Sequence, residues 1–152
     1  MRQLALLLLI LTSFLLVGCK PRNFQGKWEG YLTSPEVTTP MRTVIDLGSG
    51  GDASMSVFLT AEGVSFTMKV SGKWRRVSGT RVHMEFSKLD YDLTQVPNDI
   101  RELMRAELKK GENKTLASMN SEQYQDVTWI TDDSFDMVVQ GQAPARMTRI
   151  KP

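Results

Sequence analysis

Thiols and imidazoles are almost absent from this sequence of 152 residues. It contains one cysteine, Cys19, and one histidine, His83. An intrachain disulfide needs two cysteines, so the apolar core alone must hold the folded part together. A zinc site built by the protein needs several Cys or His ligands, and we therefore expect no metal centre.

Excess charge of one sign is also missing. The sequence has 19 Lys and Arg against 17 Asp and Glu, which gives a formal net charge of +2. Such a near-neutral chain lacks the basic footprint of a nucleic-acid-binding protein, so no nucleic-acid partner is expected. No glycine-rich elbow presents a serine nucleophile, and no catalytic residues or cofactor are predicted. His83 and Glu85 occupy successive polar positions and could form an acid-base pair, but an exposed histidine on a sheet face is the favoured interpretation.

The only long apolar run lies at the N terminus. Residues 4–17 are apolar apart from Thr12 and Ser13, and Arg2 precedes them. A helix of this length rises about 21 Å, which is short of the roughly 30 Å hydrocarbon core of a bilayer. The pattern therefore indicates the apolar region of a signal peptide rather than a membrane span.

A cysteine follows the run directly. Residues 16–19, which end in Gly18 and Cys19, resemble the bacterial lipobox, in which small residues precede the lipidated cysteine. The resemblance implies a signal peptide over residues 1–18, cleavage between Gly18 and Cys19, and a lipidated tether over residues 19–23. Two or more acyl chains hold a protein stably on a membrane. An ordinary secretory signal with a chance cysteine is the alternative.

Residue 20 bears on the destination of such a lipoprotein. It is Lys, whereas an Asp at this position resembles the inner-membrane retention signal of Gram-negative bacteria. The absence of Asp implies the outer membrane, with the protein facing the periplasm. In a Gram-positive organism the argument does not apply.

Alternation of apolar and polar residues dominates the remaining domain, residues 24–152. The pattern is clearest over residues 64–70, and Gly72 in their continuation predicts a bend or bulge. Further strands are predicted over residues 26–33, 41–47, 54–59, 81–87, 125–131, 134–140 and 145–151. Short turn signals separate the strands, so we predict a mainly β fold, an antiparallel up-and-down barrel of about eight strands.

One helix is predicted over residues 98–110, before the last three strands. Asn98 suits its N-cap, and Gly111 suits the position just after its end. Apolar residues at helical spacing form one stripe: Ile100, Leu103, Met104 and Leu108. The stripe must be covered. A helix that closes one end of the barrel is the simplest interpretation, and a groove on a partner protein is the alternative.

Gly26, Lys27 and Trp28 open the first predicted strand. They resemble the Gly-x-Trp signature of lipocalin-like barrels, in which the tryptophan closes the barrel floor against an arginine from near the end of the barrel. The resemblance implies that Gly26 and Trp28 are closure residues, with Arg146 and Arg149 as candidate partners. The main helix of lipocalins follows the eighth strand, whereas the helix predicted here precedes the last three strands. Because the chain departs from the lipocalin pattern in this way, no lipocalin ligand is carried over to it.

The inward-facing residues of the predicted barrel are rich in methionine. An apolar ligand would be lined by Met55, Phe66, Met68, Met84 and Met137. Methionine adapts to an irregular apolar ligand, but side chains can just fill an eight-stranded barrel. A filled core is the favoured interpretation, and a ligand cavity is the alternative.

The function predicted from these patterns is that of a membrane-anchored envelope lipoprotein acting as a non-catalytic binding or accessory module. The alternatives are a carrier of a small lipid-like ligand in the barrel and an inhibitor of a hydrolase. A basic cluster flanks one turn and consists of Lys73, Arg75, Arg76 and Arg81. It is either a solvated hairpin or a contact for anionic headgroups, lipopolysaccharide or an acidic partner.

Overall fold

A computed structural model describes residues 22–34, 37–61, 63–121, 123–138 and 143–151. The predicted signal peptide and Cys19 lie outside these residues. The elements, in chain order, are β1 Gly26–Ser34, β2 Val37–Leu47, β3 Asp52–Ala61, β4 Val64–Arg76, β5 Arg81–Asp92, α1 Asn98–Ser121, β6 Tyr124–Thr131, β7 Ser134–Met137 and β8 Ala145–Arg149.

The eight strands form a closed barrel in which each strand pairs with the next. Every pair is antiparallel, and β8 returns to β1 so that Trp28 lies opposite Arg149. The predicted mainly β barrel with one helix before its last three strands is confirmed. Strand ends define two poles. The floor end carries the turns β2–β3, β4–β5 and β6–β7, and the open end carries the start of α1.

The alternation in sequence becomes an inside and an outside. In β5, Val82, Met84 and Phe86 are buried, whereas the residues between them are half-buried or exposed. Because successive side chains point to opposite faces of a strand, each such strand contributes one apolar row to a common core. Every buried side-chain nitrogen or oxygen of the described residues has a hydrogen-bond partner.

Gly72 produces the predicted irregularity in β4. The pairing of β4 with β5 shifts register between Ser71 and Gly72. A Cβ atom on Gly72 would lie 2.0 Å from the carbonyl oxygen of Glu85 and 2.7 Å from the Cα of Phe86. The two backbones can approach this closely only because residue 72 has no side chain. The predicted bulge is confirmed, and β4 continues beyond it to Arg76.

The predicted end of the helix at residue 110, with Gly111 just after it, is wrong. α1 continues for ten residues beyond this glycine, to Ser121. A glycine inside a helix costs about 1 kcal/mol relative to alanine, so contacts later in the helix must offset it. Leu116 and Met119 pack against the barrel core, and the side chain of Asn120 bonds the backbone of β5.

The prediction that the helix closes an end of the barrel is also wrong. No residue described in α1 is buried, and the helix lies along β5. β5 pairs with β6 only at residues 81–83, which leaves an unpaired edge beyond them. There the Met84 N–H donates to the Gln123 carbonyl at 2.8 Å, and Asn120 both accepts from the Phe86 N–H at 2.8 Å and donates to its carbonyl at 2.7 Å. The end of α1 thus covers a strand edge.

Two glycine-to-alanine substitutions should have opposite effects on stability. Gly111→Ala is expected to raise the free energy of unfolding by about 0.5–1 kcal/mol, because alanine is the better helix former and its Cβ would meet no atom within 4 Å. Gly72→Ala is expected to lower it by about 3 kcal/mol through overpacking. Denaturant titration of both variants measures the difference. A destabilising Gly111→Ala would contradict the continuous helix.

Candidate functional site

Four aromatic rings seal the floor end. Trp28 is completely buried, and its Nε1 donates a hydrogen bond of 2.7 Å to the carbonyl of Phe24. The Trp28 ring centroid lies 4.6 Å from that of Phe135 and 5.9 Å from that of Trp129. Phe24 completes the cluster at 4.9 Å from Trp129. Such tilted and edge-on contacts add to the stabilisation that burial alone provides.

Arg149 closes this seal from the last strand. Its guanidinium carbon lies 4.1 Å from the centroid of the Trp28 ring. The same group donates to the carbonyls of Asn23 at 2.7 Å and Gln25 at 2.5 Å, and to Asp133 Oδ1 at 3.0 Å. The planar fork of arginine can satisfy several acceptors while its face covers an aromatic ring. One side chain therefore ties β8, the segment before β1 and the β6–β7 turn together.

Gly26 makes room for this arginine. Its φ angle is +115°, in the region that favours glycine, and a Cβ atom there would lie 2.8 Å from Arg149 Nη1. Any other residue would therefore be strained and would crowd the guanidinium. The first position of the Gly-x-Trp pattern thus has a physical role beside the tryptophan in the same closure.

Arg146, the other candidate partner, lies elsewhere. Its side chain is exposed and pairs with Asp136 across β7 and β8. The hydrogen bond from Arg146 lowers the pKa of Asp136. Of the two arginines proposed from the resemblance, the structure brings only Arg149 to Trp28.

Sequence reasoning did not identify Phe24 and Trp129 as members of the seal. Phe24 precedes β1, where no periodicity indicates its orientation. Trp129 follows Val127 at a spacing of two within β6, so alternation could have placed it inside. The Trp129 Nε1 also donates a hydrogen bond of 2.8 Å to the carbonyl of Gly79. This bond joins β6 to the β4–β5 turn.

The five predicted lining residues fall into two groups. Met55, Met84 and Met137 are buried within the continuous core. Phe66 and Met68 are half-buried and lie in β4, nearer the open end. The floor half of the barrel is thus packed with side chains, while apolar surface remains accessible toward the other end.

Tyr91 marks where α1 meets this open end. Its ring centroid lies 6.5 Å from that of Phe66. Burial raises the pKa of the Tyr91 hydroxyl, opposed by a hydrogen bond with Thr115 of α1. The half-buried apolar residues packed against the core around this part of the barrel are Leu32, Met41, Leu59, Met68, Leu116 and Met119.

The two halves of α1 have different environments. Leu116 and Met119, in the second half, pack on the barrel. The first half is held at its start by Arg101, which donates to the Val96 carbonyl at 2.7 Å and the Thr94 carbonyl at 3.3 Å. Its stripe remains accessible: Ile100 is 38% and Leu103 67% exposed, and Met104 and Leu108 are half-buried.

The polar groups of the described residues are mostly paired with one another on the barrel surface. His83 Nε2 lies 3.2 Å from Gln123 Oε1, and its ring contacts Tyr124 rather than Glu85. Lys69 binds Asp92 at 2.8 Å and, with Thr94, lowers the pKa of Asp92 to about 2. Among the described residues, no group of three or more His, Cys, Asp or Glu side chains could hold a metal ion.

The comparisons with known proteins assign no family to this barrel. No protein-family model matches the chain, and no curated protein matches its sequence. In the part of the chain that the structure describes, no helix combines the length and apolar character needed to span a bilayer.

Conservative replacement of the two arginines should separate their roles. Arg149→Lys is expected to lower the free energy of unfolding by about 2–3 kcal/mol, because lysine cannot keep the bonds to both the Asn23 and Gln25 carbonyls while covering the buried Trp28 ring. Arg146→Lys serves as the control and should change the free energy of unfolding by less than about 0.5 kcal/mol, since the Arg146 side chain is 58% exposed and lysine can keep the ion pair with Asp136. Urea denaturation followed by tryptophan fluorescence measures both. Equal effects would contradict closure by Arg149.

Proposed function

We propose that this protein is an envelope lipoprotein, anchored through lipid on Cys19, that acts as a non-catalytic binding module. Its docking surface is the apolar stripe on the first half of α1. In a Gram-negative cell the anchor lies in the outer membrane and the domain faces the periplasm. The observation that carries the proposal is the exposure of Leu103 and Ile100 on a helix that other residues already hold in place.

The exposed stripe is not needed to fix the helix. Leu116, Met119 and Asn120 attach its second half to the barrel, and Arg101 fastens its first turn. Burying a large apolar side chain contributes about 1.5–3 kcal/mol, so the exposure of Ile100 and Leu103 leaves this stabilisation unused. A partner that covers the two residues gains it, in the helix-in-groove mode of recognition.

Charge along the helix favours a partner with a neutral, apolar groove. Two ion pairs of the i, i+3 type, Arg105 with Glu102 and Lys110 with Glu107, neutralise much of the polar face of α1. The exposed surface of α1 therefore offers apolar contact without a strong electrostatic field. The stripe begins at the open end of the barrel, away from the floor-end turns, and is accessible there. We assign it to an envelope protein that offers a neutral, apolar groove.

A carrier of a small apolar ligand is the second candidate. It is supported by half-buried Phe66 and Met68 in β4 and by the nearby ring of Tyr91. The packed floor half restricts such a ligand to the open half of the barrel. A lipid-like molecule that inserts only its apolar end would fit this arrangement better than one enclosed entirely.

The anchor itself can be tested in cells. Cys19→Ala removes the thiol that lipidation requires, and the protein should no longer incorporate a clickable fatty acid. It should also stay unprocessed, because the lipoprotein peptidase recognises the modified cysteine. Gel fluorescence after labelling measures both effects. A fatty-acid signal that persists on Cys19→Ala would refute the anchor.

Leu103→Asp should affect binding without affecting folding. Leu103 is 67% exposed, so the melting temperature should stay within a degree or two of the unaltered protein, as surface substitutions usually do. If the stripe capped the barrel, the same substitution would instead destabilise the domain by several kcal/mol, because an unpaired charge would face the core. A photoreactive residue at Ile100 should give an envelope adduct that Leu103→Asp abolishes.

Ala106→Asp is the matched control, since Ala106 is also exposed on α1. It adds the same charge and should leave the adduct intact. A strong loss of stability in Leu103→Asp, or equal adducts in both variants, would contradict the docking surface.

Native mass spectrometry of the detergent-extracted lipoprotein tests the second candidate function, because a bound apolar mass would favour a carrier.

A further inference from the structure

The start of the described chain lies against the floor end of the barrel. Arg22 has its guanidinium carbon 5.8 Å from the Trp129 ring centroid, and its Nε lies 3.4 Å from Asp132 Oδ1. Cys19 precedes Arg22 by three residues. Three residues of chain reach at most about 11 Å, because consecutive Cα atoms are about 3.8 Å apart. With Arg22 held at the floor end, this short reach favours a lipid anchor on the same side of the barrel.

The basic β4–β5 turn lies beside this exit. Trp129, whose ring faces Arg22, donates its Nε1 hydrogen bond to Gly79 in that turn. The Val127 N–H also donates to the Thr80 carbonyl at 2.8 Å. The Trp129 indole thus lies between Arg22 and the β4–β5 turn, and both lie at the floor end of the barrel.

Two cations of the turn have no carboxylate partner among the described residues. Lys73 binds Asp52 at 2.5 Å, and Arg81 forms a forked pair with Asp126. Arg76, in contrast, donates to the neutral carbonyl of Ser78 at 3.0 Å, and Arg75 forms no ion pair with any residue that the structure describes. Both arginines are exposed. The end of β4 beside the turn therefore carries positive charge that no carboxylate of the described residues neutralises.

Apolar side chains are exposed at the same pole. Val77 at the turn is 43% exposed, Ile130 near the end of β6 is 46% exposed and Ile150 after β8 is 37% exposed. Apolar residues among cations are characteristic of surfaces that contact the bilayer interface, where the apolar groups enter the headgroup boundary. An aqueous acidic partner would not by itself account for this combination.

We propose that the floor end docks on the membrane, with Arg75 and Arg76 binding anionic phospholipid headgroups and Val77 entering the interface. The proposal rests on the lipid anchor at Cys19. Anchor and turn then act together, since the tether keeps the arginines within reach of the headgroups. The floor end then faces the bilayer, and the open end, where α1 starts, points away from it.

The test uses the full lipidated chain, whose only cysteine carries the lipid. An added cysteine is therefore the only free thiol for an environment-sensitive fluorophore. Val77→Cys reports on the floor end, and Ala106→Cys reports on α1 as the matched position. Each labelled protein is reconstituted into vesicles of phosphatidylcholine alone or of phosphatidylcholine with phosphatidylglycerol, and flotation verifies the anchor.

The fluorophore at position 77 should shift to the blue in vesicles with phosphatidylglycerol, and the fluorophore at position 106 should not. Arg75→Gln with Arg76→Gln should lower the ratio of docked to undocked protein roughly 30-fold, because each arginine favours an anionic surface about fivefold. Lys109→Gln with Lys110→Gln removes equal charge from α1 and should have no effect. Added salt should weaken docking.

Each contrary outcome has a distinct meaning. A protein that does not float with vesicles refutes the anchor and the docking with it. A protein that floats while position 77 stays in water refutes the docking alone. Shielding of position 77 in cell envelopes but not in protein-free vesicles would assign this face to an acidic protein and overturn the lipid proposal.

Discussion

The contact between Arg149 and Trp28 is the interaction on which the closed barrel depends. An up-and-down barrel is complete only when its last strand is tied to its first, and β8 pairs with β1 at just three residue pairs. The guanidinium adds hydrogen bonds to the segment before β1 and covers the buried indole. Gly26 leaves the space that this side chain occupies. Closure of the barrel thus depends on the space left at Gly26 as well as on the charged guanidinium of Arg149.

Closing eight strands this tightly also limits where function can lie. Met55, Met84 and Met137 complete a continuous core, and the aromatic seal lies below them. A packed interior has high density and little spare volume. A ligand inside the barrel would therefore be confined to the half-buried surface toward the open end, and the proposed macromolecular contacts use the outer surface. The helix can serve this purpose because only its second half is used to cover the edge of β5.

The same closure gives the molecule two unlike poles. Floor-end turns are joined through Trp129, which contacts both Arg22 and the β4–β5 turn. The start of the described chain therefore lies beside Arg75 and Arg76, which pair with no carboxylate of the described residues, whereas α1 begins at the opposite pole. If lipid is attached at Cys19, the anchor and the proposed headgroup contacts of the floor end act on the same side of the barrel. The proposed docking of the floor and the proposed binding by α1 then act on opposite sides.

The sequence by itself determined the strands, their approximate number and the bulge at Gly72, because period-two alternation and glycine act locally. It also named Gly26, Trp28 and Arg149 as candidates for closure, but could not choose between Arg149 and Arg146, which lie three residues apart. Only the tertiary structure decided that choice, since one side chain faces the floor and the other faces solvent. It likewise decided that α1 passes Gly111 and leaves Leu103 exposed. A helical pattern shows which residues share a face, but the edge of β5 that the helix covers is formed by strands distant in the chain.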